Sequence, residues 1–290
     1  MHKYLRAIGF QGITNEQLDR LYFAALKNPD RISRSQDGEG NLYSEYRIAV
    51  SKGVGIAFRG RQGTEESFRL EYYFPYIIGS VLSTKEKFEV VKSSDREGYH
   101  GMCDELNLGV ELIFFLQDMV PHATELQINN PDNKSKGIRL AALAANATVV
   151  LPIRQTVGQV KRTREFNSKR QSLMFAARNG DEEAIEELAK REMDLYAKAN
   201  LRAESEDILT IVNSYFMPEG IESDKYSILG TITSIKKSEN SYTGESIQIM
   251  TLNCNHIRFD LCVNSMDLVG EPAVGRRLRA NIWMQGMFNQ

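Results

Sequence analysis

The chain has little of what usually announces a chemistry. Its three cysteines, Cys103, Cys254 and Cys262, show no C-x-x-C spacing. That removes the paired-ligand pattern of a structural zinc site and the even count of a disulfide framework, and it points to a reduced, cytosolic protein. Apolar runs of the N-terminal half such as Leu112 to Leu116 are far short of the roughly 20 residues that cross a bilayer. The opening Met1-His2-Lys3-Tyr4-Leu5-Arg6 lacks the apolar core of a signal peptide. Neither sign of charge dominates. With 36 basic against 38 acidic side chains and a formal net charge of −2, any attraction to nucleic acid or an anionic membrane has to come from a local patch. No G-x-S-x-G elbow, Walker-type loop, post-strand G-x-G-x-x-G or H-E-x-x-H is present, so no motif specifies a reaction or cofactor.

What is present is architecture. The chain's 290 residues, 42% hydrophobic and 26% charged, suffice for two domains with proper cores. The clearest period-2 pattern lies in Tyr226 to Gln290. There Ile257, Phe259, Leu261 and Val263 alternate with His256, Arg258, Asp260 and Cys262. Leu278, Ala280, Ile282 and Met284 alternate with Arg277, Arg279, Asn281 and Trp283. Each reads as a strand with one face in a core. Ile247 and Ile249 followed by Met250, Leu252 and Cys254 predict a strand that changes face at a β-bulge. Four short strands joined by Asn, Gly and Pro turns are most economically a curled sheet or small barrel, OB-like, with one strand missing or borrowed.

The N-terminal half begins helical in two pieces across 3–27, with Thr14 and Gln17 spaced as a capping box. It continues as strands, including a hairpin through Ser51-Lys52-Gly53, a turn at Arg59 to Gly63, a central strand Leu106 to Leu116 and a β pair across Ile138 to Ala145 and Ala147 to Ile153, whose alanines also fit a helix. A turn-rich gap surrounds Asn129 to Asn133. Residues 154–170 are basic, and Leu173 to Ala199 reads as a helical hairpin, with Gly180 ending one helix and Asp181 capping the next. Its centre resembles the inner half of an ankyrin repeat, but in one copy a solenoid cannot bury its faces. Ile208 to Met217 links into the C-terminal unit, as helix or strand.

Three groups of residues could carry function. Arg277, Arg279 and Trp283 share one face of the last strand, with Arg258 and His256 on an earlier one. Together they could hold single-stranded nucleic acid by charge and stacking, helped by the basic stretch 154–170. The competing reading is a polar outer face with the lone Trp plugging an interface, and a basic stretch offset by its acidic neighbour. His100, Cys103, Asp104 and Glu105 gather four reactive side chains, which as an enzyme site require an accessible thiolate at Cys103. Cys254, His256 and Cys262 gather three more without the spacing of a zinc site.

Met1 to Phe10, together with Ala176-Ala177-Arg178-Asn179-Gly180-Asp181-Glu182-Glu183-Ala184-Ile185, Asp194-Leu195-Tyr196 and Ser214-Tyr215-Phe216-Met217-Pro218, resembles an uncharacterised family of Gram-positive anaerobic bacteria known as a domain of unknown function. The resemblance takes in essentially the whole chain and implies a cytoplasmic bacterial protein, with no activity or site residues to carry over. The expected fold is α+β. An antiparallel β-rich N-terminal domain occupies 1–153, a helical region 154–221 and a small OB-like β-barrel 222–290. The expected role is binding another protein or nucleic acid, without cofactor, metal or membrane. An enzyme site in the first domain is the remaining alternative.

Overall fold

The computed structural model describes residues 1–289 apart from 37–39, 64–66, 87, 93–97, 106–107, 109, 119–136, 154–156 and 221–222. The gap at Asn129 to Asn133 and Arg154 therefore lie outside the described residues. The chain opens with a 3-10 helix, Lys3–Ile8, that stops at Gly9 in the left-handed region (φ 88°). Helix α1 (Asn15–Lys27) follows, and its expected capping box is formed. Thr14 Oγ1 accepts from Gln17 N at 3.2 Å and Gln17 Oε1 accepts from Thr14 N at 2.8 Å. Strands β1 (Arg31–Gln36), β2 (Leu42–Ser51), β3 (Val54–Gln62) and β4 (Phe68–Ile77) form an antiparallel meander in chain order. The expected hairpin joins β2 to β3, with Gly53 at φ 75°.

The second sheet holds β5 (Glu89–Lys92), β6 (Tyr99–Glu105), β7 (Val110–Leu116), β8 (Ile138–Val150), β9 (Tyr215–Pro218), β10 (Lys225–Glu239), β11 (Ser246–Cys254), β12 (Ile257–Asn264), β13 (Leu268–Val269) and β14 (Arg277–Phe288). Helices α2 (Val157–Arg178), α3 (Glu182–Ala203) and α4 (Ile208–Ile211) lie between β8 and β9. Strands β8, β12, β11, β10 and β14 pair in that order, and β14 pairs back onto β8, so five strands close into a barrel. The fifth strand comes from far earlier in the chain. β8, which falls in 1–153, runs parallel to β12 and antiparallel to β14, and closure leaves no unpaired edge at that seam. The barrel interior is apolar as the alternation predicts: Phe259, Leu261, Leu278 and Ile282 are fully buried inside it.

Several local expectations change. Ile138 to Ile153 forms one strand to Val150 rather than a pair. Ala145 is its extra residue where the register with β14 shifts, and a single long strand is what the 12-residue β14 can pair along. β11 keeps a continuous register with β12, while the bulge sits in β10 at Thr233. β11 is apolar on both faces because Met250 and Leu252 fill the barrel while Ile247 faces a second core outside it. The central strand begins at Val110, and His100 to Glu105 belongs to its antiparallel neighbour β6. Arg59 to Gln62 continues β3 instead of turning, with Gly60 at a register shift where a side chain would collide with the Arg69 carbonyl. Ile208 to Met217 divides into α4 and the start of β9.

The second core lies between the barrel's outer wall and the N-terminal elements. Trp283, Cys262 and Ile247 from the wall meet Tyr4, Ile8 and Phe74. Part of the barrel's exterior is thus covered by the first helices and the β1–β4 sheet.

Candidate functional site

The outward face of β14 passes from solvent into this second core, which decides the fate of the expected binding strip. Trp283 is 2% exposed. Its ring lies 5.5 Å from Tyr4 and 5.1 Å from Phe115, and Nε1 donates to Asp224 Oδ2 at 2.6 Å. It is an interface plug, not a stacking platform. Arg277 is also buried. Its guanidinium donates to the carbonyls of Leu151, Val212 and Leu209, tying the barrel to α4 and to the exit of β8. Arg279 and Arg258 are exposed, on strands that pair with different edges of β8. His256 and Asn255 carry the positive φ values (70° and 47°) of the tight turn between β11 and β12. The strip therefore keeps two exposed arginines and loses its aromatic.

The cluster on β6 is divided by the strand's own period. Successive side chains point to opposite faces, so Cys103 enters the barrel core while Asp104 meets Arg178 Nη2 at 3.1 Å and His100 Nε2 lies 3.2 Å from Asp224 Oδ2. Burial first, then Glu105, pushes the Cys103 thiol up to about 12. The accessible thiolate required for nucleophilic chemistry is absent at this residue. Burial likewise raises Cys254 to about 12 and moves Cys262 upward. All three cysteines are free and buried. Among the described residues no group of three or more His, Cys, Asp or Glu side chains could hold a metal ion.

Sequence reasoning missed a buried ionic cluster on the barrel-facing side of the first sheet. Glu45 on β2 receives Arg47 Nε at 2.5 Å and also receives Arg59 Nε from β3. Both guanidiniums donate to the Gln117 carbonyl, and Arg59 Nη1 donates to Tyr72 Oη at 2.9 Å. The Phe74 ring lies 4.7 Å from the Arg59 guanidinium and the Tyr76 ring 4.8 Å from that of Arg47. Burial alone would raise the Glu45 pKa, but Arg59 and then Arg47 outweigh it and hold the carboxylate below its ordinary value. Each of the three charged residues is at most 3% exposed. The cluster has no open side and acts as a tether between layers. Gln117 extends it, donating to Ile77 O and to Gln285 Oε1. The only sequence signal was the charge itself, placed on strands whose neighbours are apolar.

An open concavity lies at the other edge of the same interface. Phe10, Gly12, Ile13, Gln17, Arg20, Leu21 and Ala24 from the first helices, with Tyr242, Thr243 and Glu245 from the β10–β11 turn, line a groove of about 580 Å³. A volume of that order is typical of small-molecule sites. Its two walls are held together by Asn240, which is fully buried. Asn240 Nδ2 donates to the carbonyls of Ile8 (2.8 Å) and Gly9 (3.2 Å), and Oδ1 accepts from Tyr242 N and Thr243 N. Gly9 is required twice, by its positive φ and because an added Cβ would sit 2.7 Å from Asn240 Cβ. Glu245 is committed to the scaffold, accepting from Gln11 N and Asn264 Nδ2. Arg20 is not. Its partner is Glu16 at i−4, and both side chains are about three-quarters exposed (74% and 76%), where such pairs contribute little. The groove thus offers an apolar floor of Phe10, Ile13, Leu21 and Ala24 and a cationic rim at Arg20.

No helix among the described residues is long and apolar enough to cross a membrane. No curated protein and no solved structure matches the chain. Residues 5–286 match a family profile, and the chain belongs to that family, DUF3881, a domain of unknown function described from an E. rectale gene.

Proposed function

We propose that this is a binding protein acting without catalysis, and that it holds a small amphipathic molecule with an anionic head in the groove between α1 and the β10–β11 turn. The observation that carries the reading is the groove itself: about 580 Å³ with an apolar floor and, at Arg20, a cation whose partner among the described residues is the solvent-exposed Glu16. Apolar contact supplies affinity in such a site, and the few polar groups orient the ligand. The cytoplasm is the compartment this reading takes, supported by three free thiols in one chain.

Anilinonaphthalene sulfonate, with an aromatic body and a sulfonate head, is a suitable probe. One saturable site is expected on the folded protein. Ala24→Trp, which fills the groove from a half-buried position, should abolish the fluorescence enhancement. Arg20→Ala should weaken binding and flatten its salt dependence. Circular dichroism should be unchanged in both variants. Equal enhancement in wild type and Ala24→Trp, or none in either, refutes the reading.

A further inference from the structure

The wall that α1 gives to the groove is one stripe of the helix. Gln17, Arg20, Leu21 and Ala24 follow at i, i+3, i+4 and i+7, the spacing that sets side chains on a common face. Polar and apolar groups separate along its length. Gln17 and Arg20 lie toward the start of the helix, and Leu21 and Ala24 toward its end. An amphipathic ligand therefore has a preferred direction on this wall, with its head near the first turn of α1 and its body along the later ones. The positive end of the helix dipole lies at the same place and favours a negative head there.

The capping box fixes what Gln17 can offer. Its Oε1 accepts from Thr14 N at 2.8 Å, and a flipped amide would set N–H against N–H. The acceptor is spent on the helix, so the two N–H groups of Nε2 are what Gln17 brings to the groove it lines. Arg20 stands one turn further on, its Cβ roughly 5–6 Å from that of Gln17. An amide donor and a guanidinium so placed suit a head with several acceptor oxygens, such as a carboxylate, sulfonate or phosphate. Two acids border this end. Glu245, on the opposite wall, is committed to Gln11 N and Asn264 Nδ2. Glu16 is outside the groove lining and holds Arg20 at 2.5 Å. Because both partners of that pair are largely exposed, it is weak and exchanges readily.

Resting on the groove reading above, we propose that Gln17 and Arg20 together clamp the head of the ligand, that the ligand is an amphiphile ending in an oxyanion, and that Arg20 passes to this head from Glu16. Gln17 then has two tasks on its two amide ends. Oε1 starts the helix and Nε2 reads the head. Glu16 is a built-in competitor for the cation, so it lowers affinity for any oxyanion without touching the apolar body of the ligand.

Two fluorescent probes with the same aromatic body separate head from body. Anilinonaphthalene sulfonate carries the sulfonate, and N-phenyl-1-naphthylamine lacks it. Titrated into the full chain, the sulfonate should bind the more tightly, and the ratio of the two dissociation constants is the readout, because a merely structural loss moves both together. Gln17→Met should shrink the sulfonate's advantage about fivefold. Gln17→Glu, which still suits a capping box but replaces donors with a charge, should shrink it further. Glu16→Gln should enlarge it about twofold, the size of an exposed i,i+4 pair. Octyl sulfate below micelle-forming concentration should displace the sulfonate probe, and inorganic sulfate at the same concentration should not. An unchanged ratio in Gln17→Met overturns the clamp, even where Gln17→Glu lowers it, and leaves the groove reading standing. An unchanged ratio in Glu16→Gln overturns the transfer of Arg20, and displacement by inorganic sulfate overturns the amphiphile. If neither probe binds wild type, the clamp and the groove reading fall together.

Discussion

The barrel interior and the layer outside it are both apolar cores, but only the outer one also encloses charged and amide side chains. Inside, Ile228, Leu252, Phe259 and Ile282 are fully buried among apolar neighbours. The strand pairing alone satisfies the backbone. Outside, the contact between the barrel wall and the first sheet contains Glu45, Arg47, Arg59, Gln117 and Gln285, all nearly inaccessible. A buried ionic group is weak evidence of stability, since apolar residues of the same volume often do as well. A polar cluster does reject wrong registers, because a shift of one residue would leave charges unpaired. The difference teaches that the barrel is specified by closure, whereas the stacking of the first sheet on it combines apolar burial with a polar cluster that sets the register.

The largest expected effect tests the polar side of that contrast. Glu45→Gln leaves two buried guanidiniums without a counter-charge and should cost about 3–5 kcal/mol in urea denaturation. The same residue predicts the acid response. A carboxylate held below its ordinary value stabilises the fold above the unfolded value of about 4.3 and loses that contribution as pH falls below it. The wild-type midpoint should therefore drop on acidification below about pH 4.3, and the drop should be smaller in Glu45→Gln. Next, Asn240→Ala strands the Ile8 carbonyl and the amides of Tyr242 and Thr243, the Gly9 carbonyl keeping its bond from Thr243 Oγ1, and should cost about 1–3 kcal/mol, with loss of probe binding in the groove. Ile228→Val in the barrel interior should cost only about 0.5–1.5 kcal/mol. Smallest of all, native protein at pH 8 should show essentially no labelling of its three thiols by a maleimide within minutes, and full labelling in urea. Rapid labelling of Cys103 would reopen it as a nucleophile.

The parts that could be read from residue order share a short range. The capping box needed only Thr14 and Gln17, the hairpin end only Gly180 and Asp181, and the inward sets of β12 and β14 only alternation. Where reading failed, the same residue pattern served a different neighbour. Alternation correctly placed Arg277 and Trp283 on the outer face of β14, but it carries no information about what covers that face. The alanines of β8 blurred its period because both faces are buried from Leu140 to Ala144. The groove was invisible, since its walls come from residues 10–24 and 242–245 and meet only through Asn240.

Local chemistry in the chain was enough to set the α+β character, the helix caps, the hairpin and the inner face of each barrel strand, because those depend on neighbours a few residues away. Three-dimensional packing alone decided that β8 would complete the barrel, that Trp283 would be buried and that Glu45 would find two arginines. Each of these joins segments far apart in sequence, and burial depends on what arrives from elsewhere, which no periodicity records.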